Sequence, residues 1–140
     1  MKILLILSMF LGSLLSANGI AIVNSLDGEV FAVKDGTEIK LKQGDALEET
    51  MTIKTLENSG ISILFNDDSF VAIGASSSLS LAKYIFDQKS QEFEFELFLD
   101  KGTASFESGK IGEVAPDKFQ FKTPEGTVAI RGTKFFIQVD

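Results

Sequence analysis

The stretch Glu92-Phe93-Glu94-Phe95-Glu96-Leu97 decides the fold class of this chain. Acidic and large apolar residues alternate in it, so a strand would place the three glutamates on one face and the apolar side chains on the other. A helix would scatter both sets around its circumference, and phenylalanine also favours strands. The stretch is therefore predicted to be a half-buried β-strand.

The same period of two continues through the chain from Ile20 onward, interrupted by turn-forming residues such as those at Asp27-Gly28 and Asn58-Ser59-Gly60. The pattern predicts one all-β domain. The predicted strands are Ile20–Ser25, Glu29–Val33, Glu38–Leu41, Met51–Thr55, Gly60–Phe65, Phe70–Ile73, Ser78–Phe86, Phe93–Leu99, Thr103–Phe106, Phe119–Thr123, Val128–Arg131 and Lys134–Val139.

The spacing of three early glycines bears on the arrangement of these strands. Gly28, Gly36 and Gly44 are eight residues apart, which leaves room only for short strands between turns and favours a β-solenoid-like coil. The spacing does not continue beyond Gly44, so a β-roll or a sandwich stays open. The polar stretches 87–91 and 107–118 are predicted to be exposed loops, and the second is a candidate site for contact with a partner.

Composition excludes several classes of function. The 140 residues include no cysteine and no histidine, which removes disulfides, thiolate nucleophiles, imidazole bases and the usual zinc sites. With 13 basic and 20 acidic residues the net charge is −7, which would repel a phosphate backbone, so nucleic acid is not an expected partner.

The N-terminus has the order of a secretory signal peptide. Lys2 precedes the apolar run Ile3–Leu15, and the small residues Ser16 and Ala17 follow. The run is too short for a stable membrane span, so residues 1–17 are expected to be cleaved, although cleavage after Gly19 or Ala21 stays open. The domain is then 18–140, with 12 basic and 20 acidic residues and a net charge of −8. No stable membrane insertion is expected after cleavage.

No residue pattern predicts catalysis, a metal site or a cofactor. Ser76-Ser77-Ser78 has neither a histidine to activate it nor a nucleophile elbow around it. Asp67-Asp68 and Glu48-Glu49 could ligate a hard cation, but they lack a calcium-loop pattern, and a corner is the favoured role for Asp67-Asp68. Glu92, Glu94 and Glu96 could bind a basic partner, and the favoured alternative is a solvated strand face.

Arg131 is the single arginine of the chain and stands between two apolar strands. Its planar guanidinium can bond a carboxylate or several carbonyl groups in a way that lysine cannot imitate. It is interpreted as a clamp at a corner of the fold, with contact to an anionic ligand as the alternative.

Around this arginine the chain resembles the FecR domain family, through Thr123-Pro124 and the segment Arg131-Gly132-Thr133-Lys134-Phe135. Further landmarks follow in the family's order. They are Gly28-Glu29-Val30, Gly44-Asp45-Ala46-Leu47, Ile53-Lys54-Thr55, Leu64-Phe65-Asn66-Asp67-Asp68-Ser69, Leu79-Ser80-Leu81 and Leu99-Asp100-Lys101-Gly102. The resemblance implies a β-solenoid-like fold and makes Thr123, Pro124, Arg131, Gly132, Thr133 and Phe135 possible interaction residues.

The resemblance also implies a function. Members of the family that regulate sigma factors carry a cytoplasmic region and a membrane helix before this domain, whereas this chain is expected to be the exported part alone. The expectation is a non-enzymatic periplasmic module that senses or scaffolds by binding a protein or a cell-envelope component, with its oligomeric state open. The first alternative is a binder of an anionic or carbohydrate ligand at the envelope, and the second is a hydrolase that uses acidic residues.

Overall fold

The computed structural model describes residues 19–128 and 134–140. Within these residues the chain forms twelve strands, one short α-helix and one turn of 3₁₀-helix. The strands are β1 (Ala21–Asp27), β2 (Val30–Lys34), β3 (Thr37–Lys40), β4 (Ala46–Leu47), β5 (Thr52–Thr55), β6 (Gly60–Phe65), β7 (Phe70–Ile73), β8 (Ser78–Asp87), β9 (Glu92–Glu107), β10 (Phe119–Thr123), β11 (Gly126–Val128) and β12 (Lys134–Val139). The α-helix α1 is Lys110–Val114, and the 3₁₀ turn is Pro116–Lys118.

The strands form one curled sheet with two halves that share β9. The strand order in the first half, which we call sheet 1, is β3-β2-β5-β8-β9-β10-β11. The strand order in the second half, which we call sheet 2, is β4-β1-β6-β7-β9-β12. The first part of β9 pairs with β8 and β10, and its last residues pair with β7 and β12. Apart from the parallel pair β9 and β10, the pairing of the described strands is antiparallel. The all-β prediction is confirmed, and the arrangement is this curled sheet.

Strand β9 turns from one half of the sheet to the other at Gly102. Before the turn the buried positions are odd-numbered (Phe95, Leu97 and Leu99), and after it they are even-numbered (Ala104 and Phe106). Gly102 has a φ of +98°, a conformation that glycine adopts without a steric penalty. The prediction of two separate strands, Phe93–Leu99 and Thr103–Phe106, was therefore wrong, because the intervening residues bend a continuous strand instead of ending it.

The alternation that decided the fold class is confirmed in β9. Phe95 and Leu97 are buried, whereas Glu92 and Glu94 are exposed. Phe95 belongs to a chain of contacting aromatic rings that runs through the core and joins both halves of the sheet. The rings are those of Phe65, Tyr84, Phe95, Phe106, Phe119, Phe121 and Phe135, in contacts with centroid separations between 4.3 and 6.5 Å.

The two polar stretches have different structures. The prediction of an exposed loop is confirmed for 87–91, which forms the tip of the β8–β9 hairpin. Hydrogen bonds from Ser90 hold the pKa of Asp87 below its ordinary value. The same prediction was wrong for 107–118, because this stretch contains α1, and Ile111 is fully buried in the core.

One strand of the structure was not predicted, and one predicted strand falls mostly outside the described residues. The two-residue strand β4 was missed because so short a run has no measurable alternation. The predicted strand Val128–Arg131 falls mostly on residues 129–131, which lie outside the described residues; the adjoining strand β11 is Gly126–Val128.

Candidate functional site

The Thr-Pro landmark forms the turn between β10 and β11. Thr123 pairs with Gly126 across this two-residue connection. The Thr123 hydroxyl accepts a hydrogen bond from the backbone N–H of Glu125 at 3.2 Å and donates one to the carbonyl of Gly126 at 3.3 Å. Pro124 is exposed at the tip. These contacts make the landmark a turn-forming element.

The last residue of the other landmark, Phe135, packs into the aromatic core. Its ring lies 5.4 Å from the ring of Phe106 and 5.5 Å from that of Phe121, so it attaches β12 to both halves of the sheet. Arg131, Gly132 and Thr133 lie outside the described residues. The interpretation of Arg131 as a clamp or a ligand contact stays a prediction.

The three glutamates of β9, which we call the acidic face (Glu92, Glu94 and Glu96), lie on the outer surface of sheet 1. Two of them have lysine neighbours on adjacent strands: Lys83 is 3.8 Å from Glu94, and Lys122 is 3.3 Å from Glu96. Both pairs are partly exposed, so their attraction is weakened by solvent and salt. The acidic face is thus a solvated surface whose charge is partly neutralised by two lysines.

A polar depression of about 350 Å³ lies beside the acidic face, between β9 and the 3₁₀ turn. Lys83, Glu94, Asp117 and Lys118 all contribute to its lining, so both signs of charge are present. Within the described part of the chain, no group of three or more acidic side chains is arranged to hold a metal ion.

Asp67 is the most highly bonded acidic residue of the described structure, and it is completely buried. Its Oδ1 accepts hydrogen bonds from the Tyr84 hydroxyl at 2.9 Å and from the backbone N–H of Ser69 at 3.3 Å. Its Oδ2 accepts from the Ser69 hydroxyl at 2.8 Å and from the backbone N–H of Ile111 at 2.9 Å. We call these four residues the Asp67 cluster. The expectation of a simple corner missed this role.

The Asp67 cluster attaches α1 to sheet 2. The first N–H groups of a helix lack partners inside the helix, and here Asp67 supplies acceptors from a distant turn. Its carboxylate accepts from Ile111, and its backbone carbonyl accepts from Lys110 at 2.8 Å. Gly109 packs so closely on the backbone of residues 67–69 that a Cβ would overlap it. The cluster therefore explains why 107–118 is folded.

Tyr84 is the only tyrosine of the chain and stands at the centre of this cluster. Its hydroxyl donates to Asp67 and accepts from the backbone N–H of the same residue, both at 2.9 Å. Burial, and next the neighbouring carboxylate of Asp67, raise the pKa of Tyr84 far above its ordinary value. The phenol therefore stays protonated in the folded protein and acts as a structural donor.

One sequence signal could have indicated this cluster. Asp67 and Ser69 are two of the three defined positions of the L-x-x-D-x-S landmark, whereas Asp68 falls on an undefined position. Asp68 is exposed, with 69% of its side chain accessible, and lies 3.8 Å from Lys110. The landmark therefore distinguishes Asp67 from Asp68, whereas residue type does not, because both are aspartates.

An apolar groove of about 610 Å³ lies at the end of sheet 2, where β7, β9 and β12 meet. Phe70, Phe135 and Phe136 contribute its apolar lining, and the ion pair between Lys134 and Glu107, 3.2 Å apart, forms its polar part. Phe136 is 66% exposed, which is unusual for so large an apolar side chain.

No helix of the described residues is both long enough and apolar enough to cross a membrane.

Comparison with known proteins relates this chain to a protein family. Neither the curated proteins nor the solved structures include a significant match to this chain. A family model described as "FecR protein" matches residues 51–140, which contain β5 to β12, the Asp67 cluster and the Thr123-Pro124 turn. The match covers more than half of the chain, and the chain therefore belongs to the FecR family.

Proposed function

We propose that this protein is an exported, non-catalytic recognition module that works in the periplasm, in signalling or as a scaffold, by binding a protein or cell-envelope partner through its acidic face. The FecR family is associated with signalling and with the cell envelope. The order of Lys2, the apolar run and Ala17 supports export.

The observation that carries the proposal is the state of the buried polar groups. Every buried side-chain nitrogen or oxygen of the described residues has a hydrogen-bond partner, and Asp67 and Tyr84, which are buried, satisfy each other. A catalytic base or nucleophile has to be accessible to its substrate, whereas Asp67 and Tyr84 are enclosed in the core. The exposed acidic side chains, such as those of Glu92 and Glu94, are the groups open to a partner, which supports recognition.

The acidic face is the surface that fits a basic partner. It lies on strands whose backbones are already paired, so a partner that binds it does not have to order a loop. The exposed Ile85 stands opposite Glu94 on β8 and adds an apolar contact to the charged row. Charge steers the encounter, and the apolar contact adds affinity that does not depend on salt.

Capture of partners from envelope extract at low and high salt tests the proposal. The bait is the protein, and the test variant changes Glu92, Glu94 and Glu96 to Gln. A matched control changes Glu38, Glu57 and Glu125, which are exposed elsewhere, to Gln. We expect a partner that is retained at low salt by the protein and by the control but lost from the test variant. Equal retention by both variants would remove the acidic face from the proposal.

The alternative, a binder of an anionic or carbohydrate ligand, is distinguished by thermal stability. A ligand that binds the folded state raises the melting temperature in proportion to the logarithm of its concentration when it is in excess. Such a rise with envelope glycans or small anions, and no captured protein, would favour the ligand-binding function.

A further inference from the structure

The edge strand β12 differs from the other edge strands of the sheet. Edge strands expose unpaired N–H and C=O groups, and proteins usually protect them by shortness or by charge. At the opposite edge of sheet 2, β4 has two residues. At the edges of sheet 1, β11 has three residues, and β3 is exposed and carries Glu38 and Lys40. In contrast, β12 has six residues and four of them are apolar. Within the described residues it pairs with β9 alone.

Both faces of β12 are incompletely covered. Phe135, Ile137 and Val139 point toward the core but are only partly buried. On the outer face Phe136 is 66% exposed. A partner that adds a strand along this edge would pair the backbone groups that have no partner among the described residues, and its side chains would lie beside those of β12 on each face.

We propose that a second copy of this chain pairs with β12 in antiparallel orientation, across a two-fold axis that passes between the two copies of Ile137. A two-fold axis perpendicular to the sheet keeps the inner face of one subunit continuous with the inner face of the other. Because side chains alternate between the faces, each residue must then stand opposite a partner residue whose number differs from its own by an even amount. In this register Lys134 stands opposite Asp140 of the partner subunit, and the same pair recurs at the other end. The charge of Lys134, the first residue of β12, and that of Asp140, which directly follows the strand, are therefore self-complementary.

The register also pairs the apolar residues. Phe135 stands opposite Val139 of the partner subunit on the inner face, which extends the core across the axis. On the outer face the two copies of Phe136 are diagonal neighbours, close enough for their rings to touch. Moving the register by two residues in either direction would lose the opposition of Lys134 and Asp140. Charge thus selects one register among those that symmetry permits.

A charge-exchange experiment in the analytical ultracentrifuge tests this dimer. The protein, expressed as the full chain, is compared with the variants Lys134→Asp and Asp140→Lys over a range of concentrations. Each variant alone opposes like charges at both ends, and we expect its dimer to be about tenfold weaker or more. An equal mixture restores opposite charges at both ends, so heterodimers should form with nearly the affinity of the original protein.

The mixture also provides the control for the ion pair inside one subunit. Lys134→Asp loses its contact with Glu107, but this loss is the same in the variant alone and in the mixture. Circular dichroism checks that each variant folds. If Lys134→Asp does not fold, the weaker dimerisation expected of Asp140→Lys tests the register by itself. The inference is overturned if the protein is monomeric at every concentration, if a folded variant dimerises as strongly as the original protein, or if mixing two folded variants restores nothing.

Discussion

Two neighbouring aspartates have opposite environments at the turn between β6 and β7. Asp67 is fully buried and its carboxylate accepts four hydrogen bonds, whereas Asp68 is exposed beside Lys110. Residue type alone could not separate them, because burial depends on Tyr84 and Ile111, which are 17 and 44 positions away in the chain. The turn was predictable from local sequence and the landmark distinguishes Asp67 from Asp68, but the partners of the Asp67 carboxylate required the tertiary structure.

Replacing Asp67 by Asn should therefore destabilise the protein much more than the same change at Asp68. The amide of Asn would present a donor where the carboxylate now accepts, so at least one buried donor would lose its partner. We expect Asp67→Asn to lower the free energy of unfolding by about 2–4 kcal/mol. Asp68→Asn should change it by no more than about 0.5 kcal/mol. Urea denaturation followed by circular dichroism measures both, and equal effects would contradict the assigned role of the Asp67 cluster.

The raised pKa of Tyr84 predicts a loss of stability at alkaline pH. The unfolded chain releases the phenol proton near pH 10, whereas the folded protein retains it because its pKa is higher. The unfolded state then binds fewer protons, so stability is fully present below about pH 10 and falls as pH rises above it. Lys34, whose pKa is also raised, mainly by its hydrogen bond to Glu48, contributes in the same direction.

Tyrosinate absorbance checks this prediction without interference, because Tyr84 is the only tyrosine and the chain has no tryptophan. We expect tyrosinate to appear only together with the loss of the circular dichroism signal of the folded protein. In Tyr84→Phe, stability should fall less steeply above about pH 10, since the contribution of Lys34 remains. An ordinary tyrosine titration in a protein that stays folded would show that the phenol is not enclosed as described.

At the scale of elements, β9 joins the two halves of the sheet. Its alternating first part was predictable because Glu92 to Leu97 show a clear period of two. Its continuity was not, since Asp100-Lys101-Gly102 has the composition of a turn. A tertiary contact supports the continuous strand at this point. The Ser77 hydroxyl accepts a hydrogen bond from the backbone N–H of Thr103 at 3.0 Å, directly after the bend.

Replacing Gly102 by alanine should lower the free energy of unfolding more than the same replacement at Gly36, another glycine with a positive φ. An added Cβ at Gly102 would overlap the Ser77 side chain and backbone, whereas at Gly36, with a φ of +78°, nothing lies within 4 Å. We expect Gly36→Ala to cost about 1–2 kcal/mol from the left-handed conformation. Gly102→Ala should cost about 1–3 kcal/mol more, from overlap in a packed core. Thermal and urea unfolding of both variants measure the difference, and equal costs would mean that the bend is not sterically constrained.

At the scale of the whole molecule, residues 19 and 20 already belong to the fold. The N–H of Ile20 donates to the carbonyl of Leu47 at 2.8 Å, and the side chain of Asn66 donates to the carbonyl of Gly19 at 3.1 Å. Ala21 is buried as the first residue of β1. Cleavage after Gly19 would remove the contact with Asn66, and cleavage after Ala21 would remove both contacts, so they favour the expected cleavage after Ala17.

The mature protein should therefore begin at Asn18. N-terminal sequencing of the protein from the envelope fraction should give Asn18 as the first residue, because cleavage after Ala17 is the expected step of export. A mature terminus at Ile22 would contradict the argument from β1. An intact Met1 terminus in the soluble cytoplasm would contradict export itself.

The central claim, that the acidic face binds a partner outside the cytoplasm, is tested most directly by site-specific cross-linking in cells. A photoreactive residue replaces Glu94, and a control replaces Glu57, which is exposed on the turn between β5 and β6. We predict that position 94 forms adducts with an envelope protein that carries a basic surface, at much higher yield than position 57. Equal yields at both positions, or adducts at position 94 only with cytoplasmic proteins, would contradict the account.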